Sequence, residues 1–201
     1  MATVLAVSGS PSPRSFTHTV TEAASRLVRR AGYAVEEMAV RELPAAALLA
    51  ADTADPALAA GLRRVAAADG IILATPVYKA AYSGLLKAFL DVLPRFGLDG
   101  KVVLPLATGG SSAHALALDY ALRPVLMSMR PALVTEAVFV PRPAASGARE
   151  QDGPRPWPPP GLERAVDHFT LALGPLTPVT PGLGPPGDAF SFSRPNAGTS
   201  R

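Results

Sequence analysis

The sequence predicts an α/β fold: a five-stranded parallel sheet in spatial order 2-1-3-4-5, with helices on both faces. Three observations predict it. Short apolar runs alternate with segments of helical period along the chain, which calls for a parallel sheet covered on both sides. The runs are nearly continuous in apolar residues, as strands buried on two faces are. Five such runs in 201 residues suit one domain better than two.

Residues 3–8 (Thr-Val-Leu-Ala-Val-Ser) are the first strand, ending at Gly9. Pro11 and Pro13 delay the helix that follows. From Ser15 to Arg30, Val20, Ala23, Ala24, Leu27 and Val28 recur at helical spacing, and Gly32 ends the helix. Residues 33–40 are the second strand, and 43–55 a loop or irregular helical piece. Asp55-Pro56 opens a helix to about Ala68. Residues 70–75 form the clearest strand, stopped by Pro76; a helix over 83–93 follows. Residues 101–108 are the next strand, broken by Gly109-Gly110. A helix spans 112–130, with Leu116, Ala117, Tyr120 and Ala121 as a candidate face. The last strand covers 133–140 and the last helix 161–173. Five strands favour the flavodoxin-like order over a full dinucleotide-binding fold.

From Pro141 onward lie 13 of the 22 prolines. Residues 154–160 and 174–201 cannot build a regular core and are expected to be extended or mobile. The domain is therefore drawn over 1–174, with 175–201 as a Pro/Gly-rich tail.

Composition narrows the function. A net charge of +3 without a Lys/Arg cluster gives nucleic-acid binding little support. With no cysteine, disulfides, thiolate nucleophiles and thiolate metal sites are excluded, which fits a reducing cytoplasm. The apolar run near the N-terminus is only six residues and has no basic segment before it, so neither a signal peptide nor a membrane span is expected there. His18 and His168 have no ligand spacing, so no metal site is expected. No G-x-S-x-G elbow is present.

In an open parallel sheet, ligands bind beyond the C-terminal strand ends. Three loops fall there. The first, Ser8-Gly9-Ser10-Pro11-Ser12-Pro13-Arg14-Ser15-Phe16-Thr17, precedes a helix. Amides at that helix start, the hydroxyls of Ser10, Ser15 and Thr17, and Arg14 suit a phosphate; the other reading is a polar turn with a serine cap. The second, Thr75-Pro76-Val77-Tyr78-Lys79-Ala80-Ala81-Tyr82-Ser83-Gly84, offers small residues to a flat ring and Tyr78 for stacking; alternatively Tyr78 and Tyr82 pack on the core. The third, Thr108-Gly109-Gly110-Ser111-Ser112, removes Cβ atoms where amides would meet a ligand's polar edge, or is a plain turn. Together the three describe a mononucleotide site, and FMN suits it. His114 is read as a helix-surface histidine, Asp69 as a strand-start turn and Asp91 as a helix-surface charge.

Two long segments carry a family resemblance. Thr75-Pro-Val-Tyr-Lys-Ala-Ala-Tyr-Ser-Gly84, with Leu85-Leu-Lys87 and Asp91-Val-Leu-Pro94, is one. Gly100-Lys-Val-Val-Leu-Pro-Leu-Ala-Thr-Gly-Gly110, with His114 and Asp119-Tyr-Ala-Leu-Arg-Pro-Val-Leu126, is the other. The chain resembles, from about residue 3 to 140, the NADPH-dependent FMN reductases of alkanesulfonate assimilation. The resemblance implies a flavodoxin-like fold and reduction of FMN by NADPH or NADH. The reduced flavin then passes to a partner flavin-dependent monooxygenase. It also implies phosphate contacts at Ser10, Arg14, Ser15 and Thr17, and isoalloxazine contacts at Pro76, Val77, Tyr78, Thr108, Gly109 and Gly110. Tyr120 matches a family tyrosine at a π-helical insertion on an oligomer interface, so a homodimer or homotetramer is expected. No side chain is named as catalytic, because the flavin carries the chemistry. The competing readings are an FMN-retaining quinone or azo reductase, a flavodoxin-type electron carrier, and a non-enzymatic FMN-binding module.

Overall fold

The structure, a computed structural model, describes residues 2–142, 157–159 and 161–174. The expectation for the tail 175–201, and that for 154–160 apart from Trp157 to Pro159, lies outside the described residues.

Five parallel positions form the sheet, in the order β2 (Ala34–Ala39), β1 (Thr3–Ser8), β3 (Gly70–Tyr78), β5 (Val102–Gly109) and then β6 (Leu133–Val134) with β7 (Val138–Pro141). The predicted fifth strand is thus one position occupied by two short strands. They pair with residues 102–103 and 106–109 of β5, leaving Leu104 and Pro105 unpaired on that side. Pro105 has no N–H to offer a neighbour, which suits it to the break. The sheet order matches the expected 2-1-3-4-5, and only the two-residue β4 (Ala81–Tyr82), antiparallel to β3, is added.

β3 runs three residues past its expected end at Thr75, through Pro76. β1 ends opposite Ala74, so beyond that point β3 is an edge on the β1 side, and a proline there breaks no ladder. Alternate β1 side chains enter opposite layers. Leu5 and Val7 pack under α3 (Pro56–Ala67), α4 (Gly84–Asp91) and α5 (Arg123–Ser128). Val4 and Ala6 pack under α1 (Phe16–Arg30) and α6 (Leu162–Leu173).

Helix starts follow local chemistry. Ser15 caps α1 by accepting from His18 N at 3.1 Å. The Asp55 carboxylate accepts from Ala57 N and Leu58 N at 2.9 Å each, with Pro56 behind it. The irregular piece after β2 contains a 3₁₀ turn, Val40–Glu42, and a short helix, α2 (Ala45–Ala50).

The expected helix over 112–130 is broken into three geometries: a 3₁₀ turn Ser112–Ala115, a π-helical turn Leu118–Leu122, and α5. The extra residue in the π turn rotates the register, so the expected face is overturned. Ala117, Leu118, Leu122 and Leu126 are buried, while Leu116 and Tyr120 stand in solvent.

Candidate functional site

The strand order reverses between β1 and β3, and the C-terminal ends of the parallel strands β1, β3 and β5 lie side by side. The three loops singled out by sequence therefore share one rim. Buried hydrogen bonds join them. Gly9 N donates to Ala74 O at 2.8 Å, and the Ser83 hydroxyl donates to Gly9 O at 2.6 Å. Ser83 also accepts from Leu86 N at 3.1 Å as the α4 cap, and its own N–H donates to the Thr75 hydroxyl at 3.0 Å. A Cβ on Gly9 would stand 2.7 Å from Leu86 Cβ, so only glycine lets the first loop lie this close to α4. On the other flank, the buried hydroxyls of Thr17 and Thr108 are bonded at 2.7 Å.

The first loop presents donors. Ser15 Oγ accepts from His18 N, which leaves its own proton free to donate, and Thr19 N closes on Ser15 O at 3.2 Å. The amides of Phe16 and Thr17 have no partner among the described residues, and they carry the positive end of the α1 dipole. Arg14 is exposed and makes no ion pair or hydrogen bond among the described residues. Ser10 is buried; its Oγ accepts from Ser12 N at 3.3 Å and holds the turn rather than facing out. Ser8 Oγ is enclosed and has no partner among the described residues. Unused amides, a spare hydroxyl proton and a free guanidinium make an oxyanion cradle, and this donor set fits the phosphate of FMN.

In the second loop, Pro76 and Val77 are buried and Tyr78 is 50% exposed. β3 turns into β4 through Lys79 and Ala80, both at positive φ (50° and 61°). Two left-handed residues make the turn that matches hairpin twist, a geometry usually given to Asn-Gly. Its strain, about 1–2 kcal/mol per non-glycine residue, is accepted at a place where backbone shape matters. The turn leaves Tyr78 standing clear, whereas Tyr82 packs on the core, and burial pushes the Tyr82 phenol above its usual range.

The glycine loop divides its roles. A Cβ on Gly109 would meet His114 Nδ1 at 3.0 Å and the Phe139 ring at 3.1 Å, so this glycine makes room for protein rings. Gly110 has open space where its side chain would be. His114 is not the surface histidine expected: it is half-buried, with Nδ1 enclosed and without a partner. Sequence reasoning had no signal for that contact, nor for the Thr17–Thr108 bond.

Asp69 and Asp91 are structural, as read. Asp69 accepts from Thr3 N at 2.7 Å, and Asp91 pairs with Lys87, holding that ammonium's pKa above its usual value. Among the described residues no three His, Asp or Glu side chains converge as metal ligands. No helix there is long and apolar enough to cross a membrane. A hollow of about 450 Å³ lined by Thr3, Leu5, Ala34, Arg63 and Arg64 lies at the opposite, N-terminal edge of the sheet, away from these loops.

Comparisons with known proteins agree with this geometry. The family model "NADPH-dependent FMN reductase" matches residues 2–145. Proteins named FMN reductase (NADPH) from Pseudomonas putida and Escherichia coli are each 44% identical over 136 residues. Those residues are 68% of this chain and, respectively, 69% and 71% of theirs. The apo crystal structure of the NADH:FMN oxidoreductase EmoB superposes with a TM-score of 0.77 at 45% identity, covering 87% of this chain and 91% of that one. All three loops and the π turn lie inside the matched span, and the chain belongs to the NADPH-dependent FMN reductase family, as an NAD(P)H:FMN oxidoreductase of flavodoxin-like fold.

Proposed function

We propose that this chain reduces FMN and releases the product to a partner flavin-dependent monooxygenase, in alkanesulfonate desulfonation in the cytoplasm. The observation that carries the site is the rim itself: three loops at adjacent strand ends, joined by buried bonds, with an unused oxyanion cradle at one end. Bound FMN supplies the chemistry by accepting a hydride at N5 from a reduced nicotinamide.

The chain's own residues bind and orient. Arg14, the Ser15 hydroxyl and the amides of Phe16 and Thr17 hold the phosphate, with Ser10 shaping the turn that presents them. Pro76, Val77 and Tyr78 flank the ring on one side. Thr108, through its bond to Thr17, and the backbone of Gly109 and Gly110 receive its polar edge. No side chain is assigned a proton-transfer step.

Leu116, Tyr120 and Met127, just before, within and after the π turn, are exposed large apolar side chains, which supports a homodimer or tetramer assembled there. Residues 1–174 act as the reductase domain in this reading, with 175–201 as an appended tail.

Oxidation of NADPH and of NADH by the full chain, with and without added FMN, tests the proposal. Colourless protein whose turnover depends on free FMN is the expected result. Yellow protein that reduces quinones without added flavin would replace it with a flavin-retaining reductase. Bound FMN without nicotinamide oxidation would make it an electron carrier.

A further inference from the structure

The family match ends at residue 145, yet the chain beyond it returns to the phosphate end of the rim. α6 packs on α1, and its C-terminal Leu173 lies against Gly70 at the start of β3. Its N-terminus is therefore at the other end of the strands, beside the start of α1. There Trp157 meets Phe16, with ring centroids 6.4 Å apart and planes inclined at 59°. Phe16 is the first residue of α1, directly after the Ser15 cap and two residues from Arg14, which has no partner among the described residues.

Trp157 is held there by an anchored segment. Pro159 is buried and accepts from Leu162 N at 3.1 Å, and Pro158 and Pro159 both have their φ fixed by their rings. The anchor leaves the indole 48% exposed, so Trp157 covers Phe16 with part of its surface and offers the rest to solvent. A fixed, half-exposed indole next to a phosphate cradle and a free guanidinium is suited to a flat base carried one ribose away from a phosphate. The isoalloxazine ring does not compete for this place, since its expected contacts are at the ends of β3 and β5.

We propose that Phe16 and Trp157 form a stacking platform for the adenine ring of FAD, with the adjacent flavin-side phosphate held by the loop between β1 and α1. The proposal rests on the phosphate role given to that loop above. The reduced nicotinamide dinucleotide carries the same adenine, but its phosphate cannot take the loop that bound FMN fills, and the experiment separates the two.

Trp157 is the chain's one tryptophan, so its fluorescence reports this place alone. ADP should quench it saturably, and inorganic pyrophosphate should not. Calorimetric titration of the full chain and of Trp157→Ala with FMN and FAD, together with KM for NADPH, completes the test. Loss of a base–aromatic stack should raise the FAD dissociation constant about fivefold or more, while FMN changes by less than about twofold. Trp157→Phe should restore most of the loss. A rise in the KM for NADPH with FAD unchanged would overturn the platform as an FAD site. If ADP leaves the fluorescence unchanged and neither dinucleotide responds to Trp157→Ala while FMN still binds, the platform is overturned alone. Wild-type protein that binds neither FMN nor FAD would overturn the phosphate loop and the platform together.

Discussion

The loop rim and the π-helical turn treat their surfaces in opposite ways. At the rim, small polar side chains are buried and bonded across loops: Thr17 to Thr108, Ser83 to Gly9, Thr75 to Ser83. At and beside the π turn, large apolar side chains stand in water, with Tyr120 80% exposed. The rim's bonds are all made within one chain. Exposed large apolar residues gain by being covered, so the π-turn region is completed by a second copy in the reading above. The difference teaches where substitutions should be felt: in protomer stability at the rim, and in assembly at the π turn.

The largest expected effect tests the rim at its tightest contact. Gly9→Val places new atoms against Leu86 Cβ, itself fixed to the α4 backbone. Overpacking of this kind costs about 1–3 kcal/mol or more, read as a lower urea midpoint and weaker FMN binding. A variant of unchanged stability would show that the first loop is not clamped to α4. Thr17→Val keeps the shape but strands the buried Thr108 hydroxyl, a loss of about 1–3 kcal/mol measurable in the same titration.

Arg14→Ala moves to the solvent side of the rim. Loss of a charge-assisted bond worth about 1.5–3 kcal/mol should raise the FMN dissociation constant tenfold or more and leave riboflavin nearly unchanged. Equal effects on both flavins would remove Arg14 from the phosphate. The glycine pair sharpens the contrast further. Gly109→Ala should lower stability by pressing on His114 and Phe139, whereas Gly110→Ala should leave the melting temperature unchanged and act only on flavin affinity.

The smallest effect on the protomer belongs to Tyr120→Ala, within about 0.5 kcal/mol for so exposed a side chain. Its consequences should appear elsewhere: lower mass by light scattering and protein that retains FMN and purifies yellow. A colourless variant of unchanged mass would leave the π turn without a part in assembly or flavin release.

Strand order, helix starts and the positions of the three loops were legible in the sequence because each rests on local chemistry. Apolar runs mark strands, Ser15, Asp55-Pro56 and Ser83 mark helix starts, and loops at strand ends follow from the parallel topology. The π turn was legible only by resemblance; helical periodicity alone placed Tyr120 on the wrong face, because one inserted residue rotates everything around it. What the tertiary structure alone decided are the contacts between segments far apart in the chain. Thr17 lies 91 residues from Thr108, and Gly109 yields its side-chain space to His114 and Phe139 rather than to a ligand. Trp157, in a stretch read only as proline-rich, is brought to Phe16 by the packing of α6 on α1. Residue type shows that a group can donate, stack or leave room, but which neighbour it meets depends on where the folded layers carry it.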